Sequence, residues 1–345
     1  MTLKEIAQLA GVSIGTIDRV IYHRGRVSPE TKKNVEELIE RYQFTPNPIA
    51  RRLQRKKDYR FCALLPLRHE DAGFWAQALV GIEDAAKTLA PLGIETKIVE
   101  YDRYNYASFK KAADKAFLQK PDGLILAPIM PEKIKPFLDS LDGIPYVFFD
   151  ADMPNTKPLC VIGHDPFNGG YLAGRLMHLF AGGIPSKPIA ILNAHGEDYH
   201  LLRRREGFLR YAQEHNFQTV VMEYSGYQGL EISGDKVQRF LREHPALSGI
   251  FINNCMTFQV AEAVAANTAN AKRDFFIIGY DLIPNNHQLL KSGGIDAIIS
   301  QRPEDQSRRA LLTLYRHIVL EQEVPGRIEI PLDIYLKENA PEIIG

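Results

Sequence analysis

The 345-residue sequence predicts an α+α/β chain: an N-terminal three-helix headpiece with a helix-turn-helix, followed by a two-lobed α/β domain with parallel sheets. Two observations predict this class. Apolar residues recur at helical spacing over the first 45 residues, and from residue 60 onward ten short apolar runs alternate with amphipathic stretches. The length is about twice that of a typical single domain, so more than one core is expected.

The charges are divided unequally along the chain. The totals cancel, with 42 Lys and Arg against 42 Asp and Glu, which by itself argues against a nucleic-acid-binding protein. Residues 1–60, however, hold 13 basic and 7 acidic residues, so this part carries +6 and the remainder −6. The division favours a basic headpiece joined to an acidic body.

Three cysteines and the absence of long apolar runs bear on the cellular compartment. Cys62, Cys160 and Cys255 are odd in number, far apart and set in apolar runs, which predicts reduced, buried thiols. No run reaches the ~18 apolar residues that a membrane span needs, and the N-terminus has no leader-like apolar core. We therefore expect a soluble cytoplasmic protein without membrane contact.

The first two helices are predicted from caps and a turn. Thr2 and Glu5 form a capping-box pattern at the start of a helix that ends at Gly11. Gly11 can adopt a positive φ in a three-residue turn, and Ser13 can cap a second helix from Ile14 to Ile21. Two short helices joined in this way predict a helix-turn-helix.

A third helix follows Ser28-Pro29, which supplies an N-cap and a proline at the first helical position. Its predicted apolar stripe consists of Val35, Leu38, Ile39 and Tyr42. Three small helices can close one small core.

These residues carry a resemblance. The runs TLKEIAQLAGVSIGTIDRVI and VSPETKKNVEELIERYQFTPNPIARRL resemble the DNA-binding headpiece of the LacI/GalR family of bacterial transcription regulators, here residues 1–45. The resemblance implies that base edges meet Ile14, Gly15 and Arg19, and that phosphates meet the hydroxyls of Ser13 and Thr16. The chemistry agrees, because Arg can bind guanine in bidentate fashion and Ile can pack on a thymine methyl group.

Residues 46–59 are predicted to be the hinge. The run TPNPIARRL resembles the hinge helix of the same family, which folds on the DNA minor groove. The resemblance implies DNA contacts at Asn47 and Ala50, and a wedge at Leu53 that enters the central base step. The alternative is a linker in which Leu53 packs on the body.

The body, residues 60–340, is predicted to contain parallel sheets in two lobes. Its strand candidates are Phe61 to Leu65, Glu95 to Val99, Gly123 to Ala127, Tyr146 to Phe149, Leu159 to Gly163, Pro188 to Leu192, Thr219 to Glu223, Gly249 to Asn253, Phe275 to Tyr280 and Ile295 to Ser300. A break near His164-Asp165 divides them evenly. Lobe 1 is assigned residues of about 60–164 and 302–322, and lobe 2 about 165–301 and 323–340. The cleft lies between the lobes, where the carboxyl ends of the strands point.

The body resembles the periplasmic-binding-protein fold, and specifically the ribose-binding type of sugar receptor. The resemblance implies that Phe74 and Trp75 sandwich a sugar ring, and that polar side chains at strand ends bind its hydroxyls. The implied effector-binding residues are Phe74, Trp75, Asp150, Arg203, Arg204, Asn253, Asp281 and Gln301.

Three departures leave the ligand open. Ala151 stands where ribose-type receptors have an Arg, Ala127 replaces an Asn, and Leu202 occupies a usual contact position beside Arg203. The pocket has therefore lost donors. A larger or less hydroxylated ligand, a sugar phosphate that uses Arg203 or Arg204, and a ligand reached by His200 all remain alternatives.

Other chemistry is weakly supported by the sequence. His195, Glu197, Asp198 and His200 are clustered, but not at helical spacing, so we predict no metal site. Phosphate-cradle and nucleophile motifs are also missing, and we predict no cofactor and no catalytic residues. An α/β enzyme that processes a sugar or nucleotide, fused to a DNA-binding domain, is the rival class.

The sequence thus predicts a transcription regulator, and a repressor by family default, with a ligand-dependent activator as the alternative. Its expected partners are a roughly palindromic operator DNA, a small sugar or sugar derivative, and a second copy of the chain. The resemblance places the homodimer contact around Asp71 to Lys87 and Pro303 to Glu321.

Overall fold

The computed structural model describes residues 3–21, 25–42, 44, 58–194, 198–224, 232–267 and 273–342. The chain forms two compact units, Met1–Asp58 with Arg316–Glu323, and Tyr59–Tyr315 with Val324–Gly345. The predicted hinge residues Asn47, Ala50 and Leu53, and also His195 and Glu197, lie outside the described residues.

The N-terminal unit contains the three predicted helices: α1 (Leu3–Ala10), α2 (Ile14–Ile21) and α3 (Pro29–Arg41). Gly11 has a φ of 65° in the turn, and its amide donates to Gln8 O. Ser28 caps α3 by accepting a hydrogen bond from the Thr31 amide at 3.2 Å. The buried core consists of Ile6, Ala7, Ile17, Val20 and Val35.

One member of the predicted stripe lies elsewhere. Leu38 and Ile39 are half-buried as expected, whereas Tyr42 is exposed at the C-cap of α3, with the Arg41 guanidinium 5.7 Å from its ring centre. The helix ends at Arg41, so Ile39 in its last turn still packs on the small core, whereas Tyr42 lies beyond the helical residues.

The body is built on two six-stranded sheets. Sheet A contains β1 (Tyr59–Pro66), β2 (Ile94–Tyr101), β3 (Gly123–Leu126), β4 (Tyr146–Phe149), β5 (Cys160–Gly163) and β11 (Arg327–Glu329) in the order β11-β5-β4-β3-β1-β2. Sheet B contains β6 (Ile189–Ala194), β7 (Thr219–Tyr224), β8 (Gly249–Ile252), β9 (Phe276–Tyr280), β10 (Ala297–Ser300) and β12 (Asp333–Tyr335) in the order β12-β10-β9-β8-β6-β7. The pairs are parallel except for the antiparallel pair β10–β12. The fold class and the ten predicted strands are confirmed.

Helices connect these strands as parallel pairing requires. They are α4 (Phe74–Leu89), α5 (Tyr106–Leu118), α6 (Pro131–Asp139), α7 (Pro166–Phe180), α8 (Tyr199–Glu214), α9 (Gly234–Glu243), α10 (Thr257–Asn267), α11 (Pro284–Ser292) and α12 (Pro303–Leu314). Most central strands are fully buried, which explains their continuous apolar runs.

The lobes differ from the predicted assignment at the C-terminal end. α12 packs on α4 beside sheet A, where Ser307 Oγ donates to Ala78 O at 2.7 Å. The following segment, which the sequence assigned to lobe 2 as residues 323–340, is divided: β11 pairs with β5 in sheet A, and β12 pairs with β10 in sheet B. Each edge thus gains one short strand from the C-terminal part of the chain.

Candidate functional site

The second helix of the headpiece presents the predicted DNA-contacting residues on its outer side. Ser13, Ile14, Gly15 and Arg19 are exposed and Thr16 is half-buried, whereas Ile17 and Val20 face the core. Ser13 Oγ accepts a hydrogen bond from the Thr16 amide at 3.1 Å, and the two hydroxyl oxygens are 3.0 Å apart. This end of α2 therefore offers hydroxyl and apolar groups together, with Arg19 further along the helix.

A second candidate site lies in the cleft of the body. Six predicted residues line one cavity there: Phe74, Trp75, Asp150, Arg204, Asp281 and Gln301. They come from α4 and the end of β4 in lobe 1, and from α8 and the ends of β9 and β10 in lobe 2. The cavity volume is about 20 Å³, which is room for about one water molecule.

Arg204 is the centre of the lobe 2 half of this cavity. Its guanidinium donates to Asn253 O at 3.0 Å and to Gln301 Oε1 at 2.9 Å, and it lies 3.9 Å from the Tyr280 ring centre. Gln301 in turn donates to Asp281 Oδ1 at 2.9 Å. A cation, an amide and a carboxylate are therefore held in a fixed sequence along the wall.

The helix that carries Arg204 lies unusually close to its neighbour. A Cβ atom at Gly170 of α7 would lie 1.7 Å from Arg204 O, and a Cβ atom at Gly207 of α8 would lie 1.9 Å from Phe167 O. Only glycine permits this approach of the two backbones. The packing of α7 against α8 thereby fixes the position from which Arg204 enters the cavity.

Lobe 1 contributes an ion pair, formed by Arg103 and Asp71, that the sequence did not predict. Arg103 follows β2 and forms an ion pair with Asp71, and its other amino group donates to Asp198 Oδ2 of lobe 2 at 2.9 Å. Asp71 also accepts hydrogen bonds from Trp75 Nε1 and Tyr104 OH, both at 2.6 Å. Arg103 thus connects the two lobes across the cavity.

The aromatic pair is arranged differently from the prediction. The Phe74 and Trp75 ring centres are 5.0 Å apart and the planes are inclined by 89°, with Trp75 edge-on to Phe149 as well. A sugar ring cannot fit between two rings in mutual contact. They form a common apolar wall instead of the expected sandwich.

Two further predicted residues lie outside this cavity. Asn253 is buried outside the cavity and donates hydrogen bonds to Asn193 Oδ1 and Leu201 O. The neighbouring residue, Asn254, lines the cavity instead. Arg203 is half-buried on α8, where it pairs with Glu206 and lies over the Phe167 ring. His200, Leu201 and Cys255 also line the cavity.

Burial controls the protonation of the cavity. It raises the pKa of Asp150 to about 7 and that of Asp281 to about 6, although Arg204 opposes both shifts. Burial, together with Arg204, holds the pKa of His164 and His200 well below the usual range, so these rings are neutral. Burial alone would lower the pKa of Arg103, but Asp71 and Asp198 outweigh it, so its pKa is raised well above the ordinary value.

Comparison with known proteins extends these findings. Residues 2–47 match "Bacterial regulatory proteins, lacI family", and residues 62–322 match "Periplasmic binding protein domain". HTH-type transcriptional repressors PurR are similar over nearly the whole chain: that of Mannheimia succiniciproducens is 23% identical over 99% of both chains, and that of Photorhabdus laumondii is 26% identical over 95% of this chain and 94% of its own.

Solved structures agree. A crystal structure described as that of a LacI transcriptional regulator from Bacteroides fragilis is 30% identical, covers 82% of this chain and 98% of its own, and has a TM-score of 0.73. GanP, a glucose-galactose binding protein from Geobacillus stearothermophilus, shares the fold of the body at 22% identity, 83% and 100% coverage and a TM-score of 0.72.

A helix-turn-helix joined to a two-lobed ligand-binding body defines a DNA-binding transcription regulator with an effector domain, and not an enzyme. The chain belongs to the LacI family, with a periplasmic-binding-protein body. Among the helices that the structure describes, none is long and apolar enough to cross a membrane.

Proposed function

We propose that this regulator is a cytoplasmic homodimeric repressor of a roughly palindromic operator, controlled by a small sugar-like effector bound between the lobes. The observation that carries the proposal is the cavity at the carboxyl ends of both sheets, on a chain that also holds a DNA-binding headpiece. A two-fold protein reads two half-sites, which accounts for the palindrome.

The charges of the cavity favour a neutral, hydroxylated effector over a sugar phosphate. Three carboxylates, Asp71, Asp150 and Asp281, line it together with two arginines. Both guanidinium groups already bond to protein atoms, Arg103 to two carboxylates and Arg204 to Gln301 and a carbonyl. Carboxylates accept hydrogen bonds from hydroxyl groups, whereas they repel a phosphate.

The small size of the cavity supports control by lobe movement. A sugar cannot enter about 20 Å³ unless side chains or lobes move. Contacts that hold the lobes together here, Arg103 to Asp198 and Gln77 Nε2 to Leu282 O at 3.1 Å, would have to yield. An effector that binds a different lobe arrangement shifts the population toward it, and DNA affinity changes by no more than that preference allows.

Helices α4 and α12 are the proposed homodimer contact. They pack closely, since a Cβ at Gly81 would lie 2.1 Å from Glu304 O, and they present an exposed Val80. Two helices tied together in this way form a rigid surface that a second copy can meet.

The DNA part of the proposal is tested with Leu53→Ala. An operator is first selected from random DNA with the full chain, and gel-shift titrations at fixed salt then compare the variant with wild type. We expect operator affinity to fall at least about tenfold, because a wedge that opens a base step is lost. Leu118→Ala, which truncates a leucine that is 81% exposed on the body, is the matched control and should bind as wild type does. Wild-type operator affinity in Leu53→Ala would contradict the wedge.

The effector part is tested by a thermal-shift screen of monosaccharides, sugar acids and sugar phosphates, followed by operator binding with each hit. We expect neutral sugars to raise the melting temperature and to change operator affinity. If sugars stabilise the chain but leave its affinity for the operator unchanged, the proposed allosteric coupling between effector and DNA binding is wrong.

A further inference from the structure

A second cavity of about 250 Å³ adjoins the cleft on the side where the chain crosses between the lobes. Its walls come from the end of β4, the crossover after β5, the first turns of α8, and β11. Its lining includes Asp150, Ala151, His164, Tyr199, Arg203 and Arg327. We call it the hinge-side cavity, after the crossover between the two lobes and not after the predicted hinge of residues 46–59.

The hinge-side cavity and the cleft cavity share one lining residue, Asp150, and therefore lie next to each other. Beside it, His164 of the hinge-side cavity and Arg204 of the cleft cavity approach to 3.5 Å between Nε2 and Nη2. We call these side chains, Asp150, His164 and Arg204, the partition between the two cavities. A ligand that spans both cavities has to pass them.

This partition holds buried polar atoms without partners. Asp150 is only 7% exposed and His164 only 5%, yet among the described residues neither Asp150 Oδ1 nor His164 Nδ1 has a hydrogen-bond partner. Buried polar groups are normally paired, so such atoms mark a place where a ligand supplies the missing donor or acceptor. A sugar hydroxyl can do both, since it donates to a carboxylate and accepts from an imidazole N–H.

The chemistry of the hinge-side cavity fits a hydroxylated ring and not an anion. Its two arginines are already paired, Arg203 with Glu206, and Arg327 with Asp152 at 3.4 Å and Glu329 at 4.0 Å. Tyr199 adds an aromatic side chain that is 39% exposed and free to cover the C–H face of a ring. The single methyl group of Ala151 leaves the space open next to Asp150.

We propose that the hinge-side cavity is a second subsite of the effector site, so that the effector is a disaccharide or similar glycoside and not a monosaccharide. The inference rests on the proposed function, because it assigns a second ring to the same effector. One ring lies in the opened cleft near Trp75, and the other lies beyond Asp150 against Tyr199.

The test is isothermal titration calorimetry of the full chain with matched probes: maltose, cellobiose and lactose against glucose and galactose. We expect one of the disaccharides to bind about tenfold or more tightly than its component sugars. Tyr199→Ala should lower the affinity for that disaccharide about tenfold, and Ala151→Leu, which fills the subsite, should act in the same direction. Tyr106→Ala removes a tyrosine of similar exposure on α5 outside both cavities and should bind as wild type does.

The possible failures are distinct. If monosaccharides bind as tightly as the disaccharides and Tyr199→Ala binds all probes like Tyr106→Ala, the second subsite is wrong while the sugar-controlled regulator stands. If no saccharide binds although operator DNA does, both the sugar effector and its subsite are wrong.

Discussion

Two aspartates at equivalent strand ends set the character of the cleft. Asp150 follows β4 and Asp281 follows β9, and their φ angles of 70° and 64° lie in the left-handed region that Asp tolerates better than most residues. Each amide donates to the neighbouring strand, to Ile162 O at 3.1 Å and to Ile299 O at 2.8 Å. The sharp turn that results carries each carboxylate into the cavity, where burial raises its pKa.

Asp150→Asn is therefore expected to change how stability depends on pH. The pKa of Asp150 is about 7 in the folded chain and about 3.8 when unfolded, so the folded chain binds more protons between these values and loses stability as pH rises through them. The variant lacks this loss, and its stability relative to wild type should improve by about 2–3 kcal/mol between pH 5 and pH 8. Urea unfolding at both pH values measures the difference.

Four charged groups around Asp150 affect its pKa in opposite directions. Arg204 and Arg103 favour its charged form, whereas Asp281 and Asp198 oppose it. Asp84→Asn, at an exposed position on α4, is the control variant, and the pH dependence of Asp150→Asn is measured against it. The same pH dependence in both variants would show that the Asp150 carboxyl group titrates normally.

At this scale the sequence predicted the cavity only in part. Asp150, Asp281 and Gln301 follow buried strands, so their positions were predictable from apolar runs. Asp71 lies in the short 3-10 helix Glu70–Gly73 and Arg103 in the loop after β2, and Asp71 has a φ of 50°, a conformation that no periodicity reveals. Asn253 does not line the cavity, whereas the next residue, Asn254, does, and successive side chains along an extended chain point to opposite sides.

At the scale of elements, close helix packing was invisible in the sequence. The apolar runs identified the strands because most are buried on both faces, but β11 and β12 are three-residue edge strands with charged residues and give no such run. Gly170 and Gly207 likewise look like ordinary helical glycines. Only the structure shows that each stands against the backbone of the other helix.

Gly170→Ala should accordingly destabilise the body. Its new methyl group would overlap Arg204 O, so α7 and α8 must separate, at a cost of about 1–3 kcal/mol or more. Gly234→Ala is the matched control, because its Cβ would lie 3.8 Å from the Ala263 Cβ, an ordinary contact, and a small gain in helix propensity is expected. Urea unfolding of both variants provides the measurement. Equal stability of the two would mean that the helices accommodate the methyl group.

At the scale of the whole molecule, the net positive charge lies in the headpiece and the net negative charge in the body, in agreement with DNA binding by the headpiece. Residues 1–60 carry +6 and the remainder −6, so phosphate attraction is concentrated in the part that holds α2. The cleft, in contrast, depends on a few contacts between lobes, such as Arg103 with Asp198. The sequence predicted the charge division by simple counting. It could not predict how far the lobes close, because that depends on a few side-chain contacts and not on the pattern of strands.

Operator binding by the full chain should therefore weaken steeply as salt rises. If each dimer makes six to ten phosphate contacts, affinity falls about 10³- to 10⁵-fold between 50 and 200 mM salt, because counterions compete for the DNA. Binding of a neutral sugar to the body should change little over the same range. Fluorescence anisotropy with a labelled operator, at several salt concentrations, gives the slope.

Arg19→Ala separates base recognition from phosphate attraction within this experiment. If the exposed Arg19 of α2 contacts guanine, its loss should cost about 1–3 kcal/mol on the selected operator and relax the preference at one base pair, while the salt slope stays at the wild-type value. A phosphate contact would instead weaken binding to every sequence alike and lower the slope. An equal loss of affinity for the selected operator and for a scrambled duplex would therefore show that Arg19 contacts the DNA backbone and not the base edges. The specificity of the headpiece would then have to come from other side chains, with the exposed Ile14 as one candidate.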